Sequence, residues 1–412
     1  MTPPSVVTAE APDRGRMFYL VDEDLDFIPE VKEFLDWKVA TGRSPGTVHA
    51  YCSRLCWYYR YLHQRNLGVL ETQAADLTEF VIWLCNPHRD VGNVAVIHQP
   101  SPLAAPTVNL ILQAVSSLYR FLVRRGALDE SPVKYVDVPR GRWLTERDLL
   151  AHTRRGGQTV QRMELRLKEP KRIPKTVSEG DFEVFLSSIG IGPHPSSDSS
   201  GFRDRLLCLV LKQSGLRVGE LLGIRMEDLD FGGCGVHIRF RTDNPNGSRA
   251  KAGYGRDRFV HLPGDLLGMI DVYITEVWIE AEPHTDHLWI VLRANARDRQ
   301  GRLTLGTALT RSAVEQMFRH YSAKSGVHLH PHMLRHTHAT DLVSSYLSEG
   351  QAVDWKYVQE RLGHSSVVTT METYTHLSDI DLKRAHEQYM ERREKARARR
   401  RRTDTANHTH HT

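Results

Sequence analysis

The 412-residue chain is 40% hydrophobic and 25% charged, with a formal net charge of +5. That composition excludes an intrinsically disordered body, and the length exceeds one ordinary domain, so two or three separately cored units are expected. The longest apolar run, Leu206 to Leu211, is far short of the roughly 20 residues of a membrane helix, and five cysteines (Cys52, Cys56, Cys85, Cys208, Cys234) are too few and odd in number for a disulfide framework.

Residues 1–20 read as a flexible N-terminus without the apolar segment of a secretory signal, which predicts a cytoplasmic protein with no membrane association. Residues 21–135 read as a helical domain. One helix fits Pro29 to Thr41, and a second opens after Ser44-Pro45, with Tyr51, Leu55, Tyr58 and Leu62 at helical spacing. A third fits Leu77 to Leu84 and a fourth Ala105 to Arg125, separated by a turn-rich loop, Asn86 to Pro102. Cys52 and Cys56 lie one turn apart and are assigned to the core rather than to zinc, since no second ligand pair accompanies them. Residues 136–172 carry many charges without a period and read as a basic linker with one short helix near Thr145 to His152.

A second domain is expected over 173–390. Ser178 is placed to cap a helix through Phe182 to Leu186, and Phe202 to Ser214 forms the next. Val236–Phe240 and Phe259–Leu262 read as a small β-hairpin around a basic turn. Helices follow near Leu266–Ala281, Arg311–Ser325, His332–Ser345, Trp355–Leu362 and Asp379 to Arg397. Residues 391–412 form a basic flexible tail whose Lys395–Arg402 run either touches phosphates or is simply solvated. The predicted class is therefore mainly α with a small β-hairpin.

Four segments carry chemistry. SGLRVGELLGI puts Arg217 where one helix ends and another begins, with Glu220 beneath it, an arrangement that by itself fits an ordinary ion pair. RAKAGYGRDRFVHLP sets Lys251 on a glycine-bearing turn, able to reach a phosphate or to remain solvated, with Arg249, Arg256 and Arg258 nearby. HPHMLRHTHAT holds His332 and Arg335 three residues apart on one helical face. In RLGHSSVVTTMETYTHL, His364 precedes Tyr374 by ten residues.

Order, spacing and residue type together resemble the catalytic domain of the tyrosine recombinases, the lambda-integrase-like enzymes, over about Lys171 to Tyr389. SPGTVHAY within Phe27–Pro132 resembles that family's SAM-like core-binding domain, and the text after Leu362 resembles transposon-encoded members. The resemblance implies a catalytic set of Arg217, Lys251, His332, Arg335, His364 and the nucleophile Tyr374, with no cofactor. Arg217 and Arg335 would stabilise the charge on the phosphate, and His364 would hydrogen-bond it. His332 would assist proton transfer at the tyrosine, and Lys251 would protonate the departing 5′ oxygen. Glu220 either orients Arg217 or is an ordinary ion-pairing residue. The implied partners are double-stranded DNA bearing a specific site, three further copies in a homotetramer, and a directionality factor. The helix after Ser378 docks on a neighbouring copy or packs at home.

Three other readings are weighed. A metal-dependent phosphodiesterase would draw on His328, His330, His332, His336 and His338, but these lack an HExxH arrangement and a nearby carboxylate set. A type IB topoisomerase shares the tyrosine chemistry without exchanging partners. A catalytically silent DNA-binding protein would not need the full set of six residues.

Overall fold

A computed structural model describes residues 3–11, 15–86, 103–139, 159–170, 175–190, 198–250, 255, 257–293, 297, 304–349, 351–364, 366, 367 and 371. The expected helices at Thr145–His152 and Asp379–Arg397, the loop from Pro87 onward, the basic tail, Lys251 and Tyr374 lie outside the described residues. The chain divides into two compact units, Met1–Lys171 and Arg172–Thr412.

The first unit opens differently from expectation. Instead of a loose segment, β1 (Ser5–Ala11) and β2 (Gly15–Val21) pair antiparallel, Val6 opposite Leu20. Four helices follow: α1 (Pro29–Ala40), α2 (Pro45–Arg65), α3 (Ala74–Cys85) and α4 (Ala105–Arg125). Ser44 caps α2 by accepting from the Thr47 N–H, and Pro45 occupies the first turn, where a missing N–H costs nothing. Phe34, Leu55, Tyr58, Phe80, Val115, Leu118 and Tyr119 fill the core. The buried Tyr119 hydroxyl donates to the Val69 carbonyl at 2.9 Å, satisfying a polar group that would otherwise be costly to bury. Cys52 lies in this core, where burial pushes its thiol up to about 12, the opposite of what a thiolate metal ligand requires. The stretch read as a linker contributes an antiparallel pair, β3 (Tyr135–Pro139) and β4 (Thr159–Met163), to this unit.

The second unit contains α5 (Glu179–Ser188), capped by Ser178 as expected, and α6 (Ser199–Ser214). A four-residue helix, α7 (Val218–Leu221), leads to a three-stranded sheet, not a bare hairpin: β5 (Leu229–Asp230), β6 (Gly235–Ile238) and β7 (Arg258–His261). After α8 (Gly264–Tyr273) the helix widens into a π turn through Trp278, and α9 (Arg311–Ser325), α10 (Pro331–Ser348) and α11 (Trp355–Leu362) complete the unit. Leu206, Leu207, Val210 and Leu211 of α6 are at most 1% exposed, so α6 is the central helix on which α10 and α8 pack. Among the described residues no helix is long and apolar enough to cross a membrane.

Candidate active site

The site is built where three helix ends meet. α6 stops at Gly215, whose φ of +67° suits glycine; a methyl group there would stand 2.5 Å from the His338 ring. Two residues on, Arg217 caps α7, and its backbone N–H donates to Glu220 Oε2 at 3.0 Å while its Nη1 donates to Oε1 at 3.0 Å. Glu220 is buried, which would raise its pKa. Arg258 of β7 overrides this by gripping both oxygens, Nη1 to Oε1 at 3.1 Å and Nη2 to Oε2 at 2.9 Å, so the carboxyl stays below its ordinary range.

Arg335 arrives from α10 and is 2% exposed. Its Nη1 donates to the Gly215 carbonyl at 2.7 Å and its Nη2 to the Leu362 carbonyl at 2.6 Å. Arg217 Nη1 reaches the same helix end, the carbonyls of Leu362 (3.4 Å) and Gly363 (3.2 Å). Two guanidinium groups therefore meet at the C-terminus of α11, where unpaired carbonyls and the negative end of the helix dipole offset the cost of bringing like charges together. The Arg217 contacts all fall on Nη1; among the described residues Nη2 and Nε take no protein acceptor, and the side chain is 22% exposed. Among the described residues, that edge is left for an anion.

His364 is fixed directly after this helix end. Gly363 reverses the chain with φ +62°, the His364 N–H donates to the Gln359 carbonyl at 3.0 Å, and the Gln359 amide returns a bond to the His364 carbonyl at 2.9 Å. Burial, followed by the charges of Arg335 and Arg217, pushes the imidazole down to about 4, so it is neutral at physiological pH and suited to hydrogen bonding. His332 is exposed on the first turn of α10 with its ring 4.4 Å from that of His336. His336 is likewise lowered to about 4 by burial and by the charges of His332 and Arg335.

Arg217, Glu220, Arg335 and His364 thus come together, and His332 stands one turn before Arg335. For Lys251 the described neighbour is informative: a methyl group on Gly219 would lie 2.9 Å from the Arg249 carbonyl, so the backbone two residues before Lys251 packs on α7. Of the alternatives in that hairpin, Arg258 is committed to Glu220. The five-histidine stretch divides: His328 and His330 face each other across 6.1 Å, His332 pairs with His336, and His338 turns inward to Arg361.

The sequence reading named Arg258 only among the basic alternatives near Lys251, and it missed Gly363 and Arg361. Arg361 donates to the carbonyls of His261 (2.9 Å) and Gln213 (3.1 Å) and from Nε to His338 Nε2 at 3.4 Å. Burial and then the Arg361 charge push His338 down to about 4 from the ordinary 6.5. The unfolded chain therefore binds a proton near pH 6.5 that the folded chain refuses until about pH 4. Stability supplied by this neutral histidine is present above pH 6.5 and lost as pH falls through that window. Wild-type Tm is expected to fall between pH 7 and pH 4.5, and the gap between wild type and His338→Gln to narrow over the same range, measured by differential scanning calorimetry. A constant gap would contradict the assignment.

Both units resemble known proteins. Residues 191–380 match the Phage integrase family, and residues 31–126 match its N-terminal SAM-like domain (Phage integrase, N-terminal SAM-like domain). The chain is 29% identical over 380 residues to transposase A from transposon Tn554 of Staphylococcus aureus, covering 92% of this chain and 95% of the relative. It is 25% identical over 316 residues to the tyrosine recombinase XerD of Lacticaseibacillus casei, covering 74% and 87%. In fold it is similar to the Tn1549 transposon integrase solved in complex with transposon right end DNA, with a TM-score of 0.55 at 16% identity, covering 87% of this chain and 98% of that one.

Proposed function

Because the chain belongs to the phage integrase family of tyrosine recombinases, we propose that it is a site-specific DNA recombinase that integrates or excises a mobile element through a covalent 3′-phosphotyrosine. The observation that carries this reading is the convergence of Arg217 and Arg335 on the C-terminal end of α11 with neutral His364 beside them.

The chemistry follows from what each group can do. Tyr374 Oη attacks the scissile phosphorus, with His332 assisting removal of its proton. Arg217, through its open Nη2 and Nε edge, and Arg335 stabilise the charge that builds on the non-bridging oxygens, and His364 hydrogen-bonds one of them. The bond to the 5′ oxygen breaks as Lys251 protonates it. Energy is kept in the phosphotyrosine, so the 5′-hydroxyl of another strand reverses the step and no nucleotide cofactor is consumed. The transposon-borne and Xer relatives favour double-stranded DNA with a specific site as the partner. A homotetramer would exchange strands pairwise through a Holliday junction, with a directionality factor choosing the product and the helix after Ser378 docking between copies. The bacterial relatives favour action in the cytoplasm, where their DNA lies.

The test is incubation with nicked DNA carrying the element's ends in EDTA, followed by a denaturing gel. A protein–DNA adduct is expected, with binding that weakens steeply as salt rises. Cleavage that needs a divalent metal and leaves no adduct would overturn the reading, and relaxation of supercoiled DNA without any exchange of ends would favour a topoisomerase.

A further inference from the structure

Glu220 raises an electrostatic difficulty. A carboxylate with one charge bonds both the backbone N–H and Nη1 of Arg217, and left to itself it would neutralise the guanidinium whose charge the phosphate needs. Arg258 changes that balance. It takes both Glu220 oxygens in a forked grip, the stronger geometry for this pair, while Arg217 holds one oxygen through a single side-chain nitrogen. Its side chain is 11% exposed, against 0% for Glu220. The guanidinium also packs closely on Gly363: a methyl group there would stand 2.6 Å from Arg258 Nη1 and 2.7 Å from its Cζ. Gly363 carries a carbonyl that Arg217 bonds and is followed by His364. Arg258 thus touches both supports of Arg217, the Glu220 carboxylate and the α11 helix end.

Resting on the recombinase reading above, we propose that Arg258 is a positioning residue for strand cleavage, compensating Glu220 so that Arg217 is held in place yet remains a net cation toward the phosphate. Arg258 does not itself reach the substrate in this scheme. It sets how much of the Arg217 charge the substrate meets.

A compensating role and a merely structural one separate in a double-variant cycle. The readouts are the rate of adduct formation on nicked DNA at saturating protein, the DNA dissociation constant by fluorescence anisotropy, and Tm. Arg258→Met is expected to slow adduct formation roughly 100-fold with the dissociation constant changed less than about threefold, the scale of losing one preorganised electrostatic group. Arg258→Lys, which keeps the charge but not the fork, is expected to recover about tenfold. Glu220→Gln added to Arg258→Met removes the charge that would capture Arg217, and is expected to recover about tenfold over Arg258→Met alone. The double variant also avoids an unbalanced buried charge, so it remains readable if Arg258→Met folds poorly. A double variant no faster than Arg258→Met, or an Arg258→Met rate within about threefold of wild type, would overturn the proposal. A wild-type chain forming no adduct would instead fail the recombinase reading, before any variant is compared.

Discussion

Tyr374→Phe is expected to bind its DNA within about threefold of wild type and to form less than about one thousandth of the adduct, the largest effect of any single change in the chain. The substitution removes one oxygen and keeps the ring, so phosphate contacts made elsewhere are untouched and the loss falls on chemistry alone. An unperturbed tyrosine titrates near 10, so its hydroxyl attacks only where cations favour the developing charge. The end of α11, twelve residues before Tyr374 in the chain, gathers two guanidinium groups of that kind. Denaturing gels with peptide mapping of the wild-type adduct check the assignment. If Tyr374→Phe retains the adduct on another residue, Tyr374 is not the nucleophile, however well the cations are placed.

Much of the scaffold was legible because its helices announce their own ends. α9 and α11 begin at capping side chains, Thr310 and Asp354, α4 begins with Pro106 in its first turn, and all three finish at a glycine: Gly126 after α4, Gly326 after α9, Gly363 after α11. The hairpin of β1 and β2 was not legible. A two-stranded ribbon draws its stability from what it packs on, here α2, and that contact leaves no local trace in the sequence. The third strand, β5, is two residues long and below any periodic signal. Within the site, Arg217, Arg335 and His364 could be chosen by motif, yet their meeting point could not. Arg217 and Gly363 are 146 residues apart, and only the fold brings the two together. Arg258 was one basic residue among several in its hairpin, and what distinguishes it is a buried carboxylate 38 residues away. The RLGH turn displayed a helix stop but gave no hint that its glycine also makes room for a guanidinium.

Arg335 is expected to show the next largest effect, and its two replacements separate two jobs. The side chain is almost fully buried and ties the end of α6, through Gly215, to the end of α11, through Leu362. Arg335→Ala removes the cation, leaves the Gly215 carbonyl without its charged donor and leaves the Leu362 carbonyl with only the long bond from Arg217. Each such hydrogen bond contributes about 1.5–3 kcal/mol, so a clear fall in Tm should accompany a loss of about 1000-fold or more in the rate of adduct formation. Arg335→Lys keeps the charge on a single nitrogen that cannot span the two carbonyls in fork geometry. The lysine variant is therefore expected to bind DNA as wild type does and to recover part of the lost stability, while remaining slowed by about 100-fold, because a cation alone does not fix the helix ends that carry Arg217 and His364. The rates are read at saturating DNA so that weakened binding cannot imitate slow chemistry. A lysine variant as fast as wild type would mean that charge alone is needed from Arg335. An alanine variant that loses stability but not rate would make Arg335 a tie between helices and leave phosphate stabilisation to Arg217.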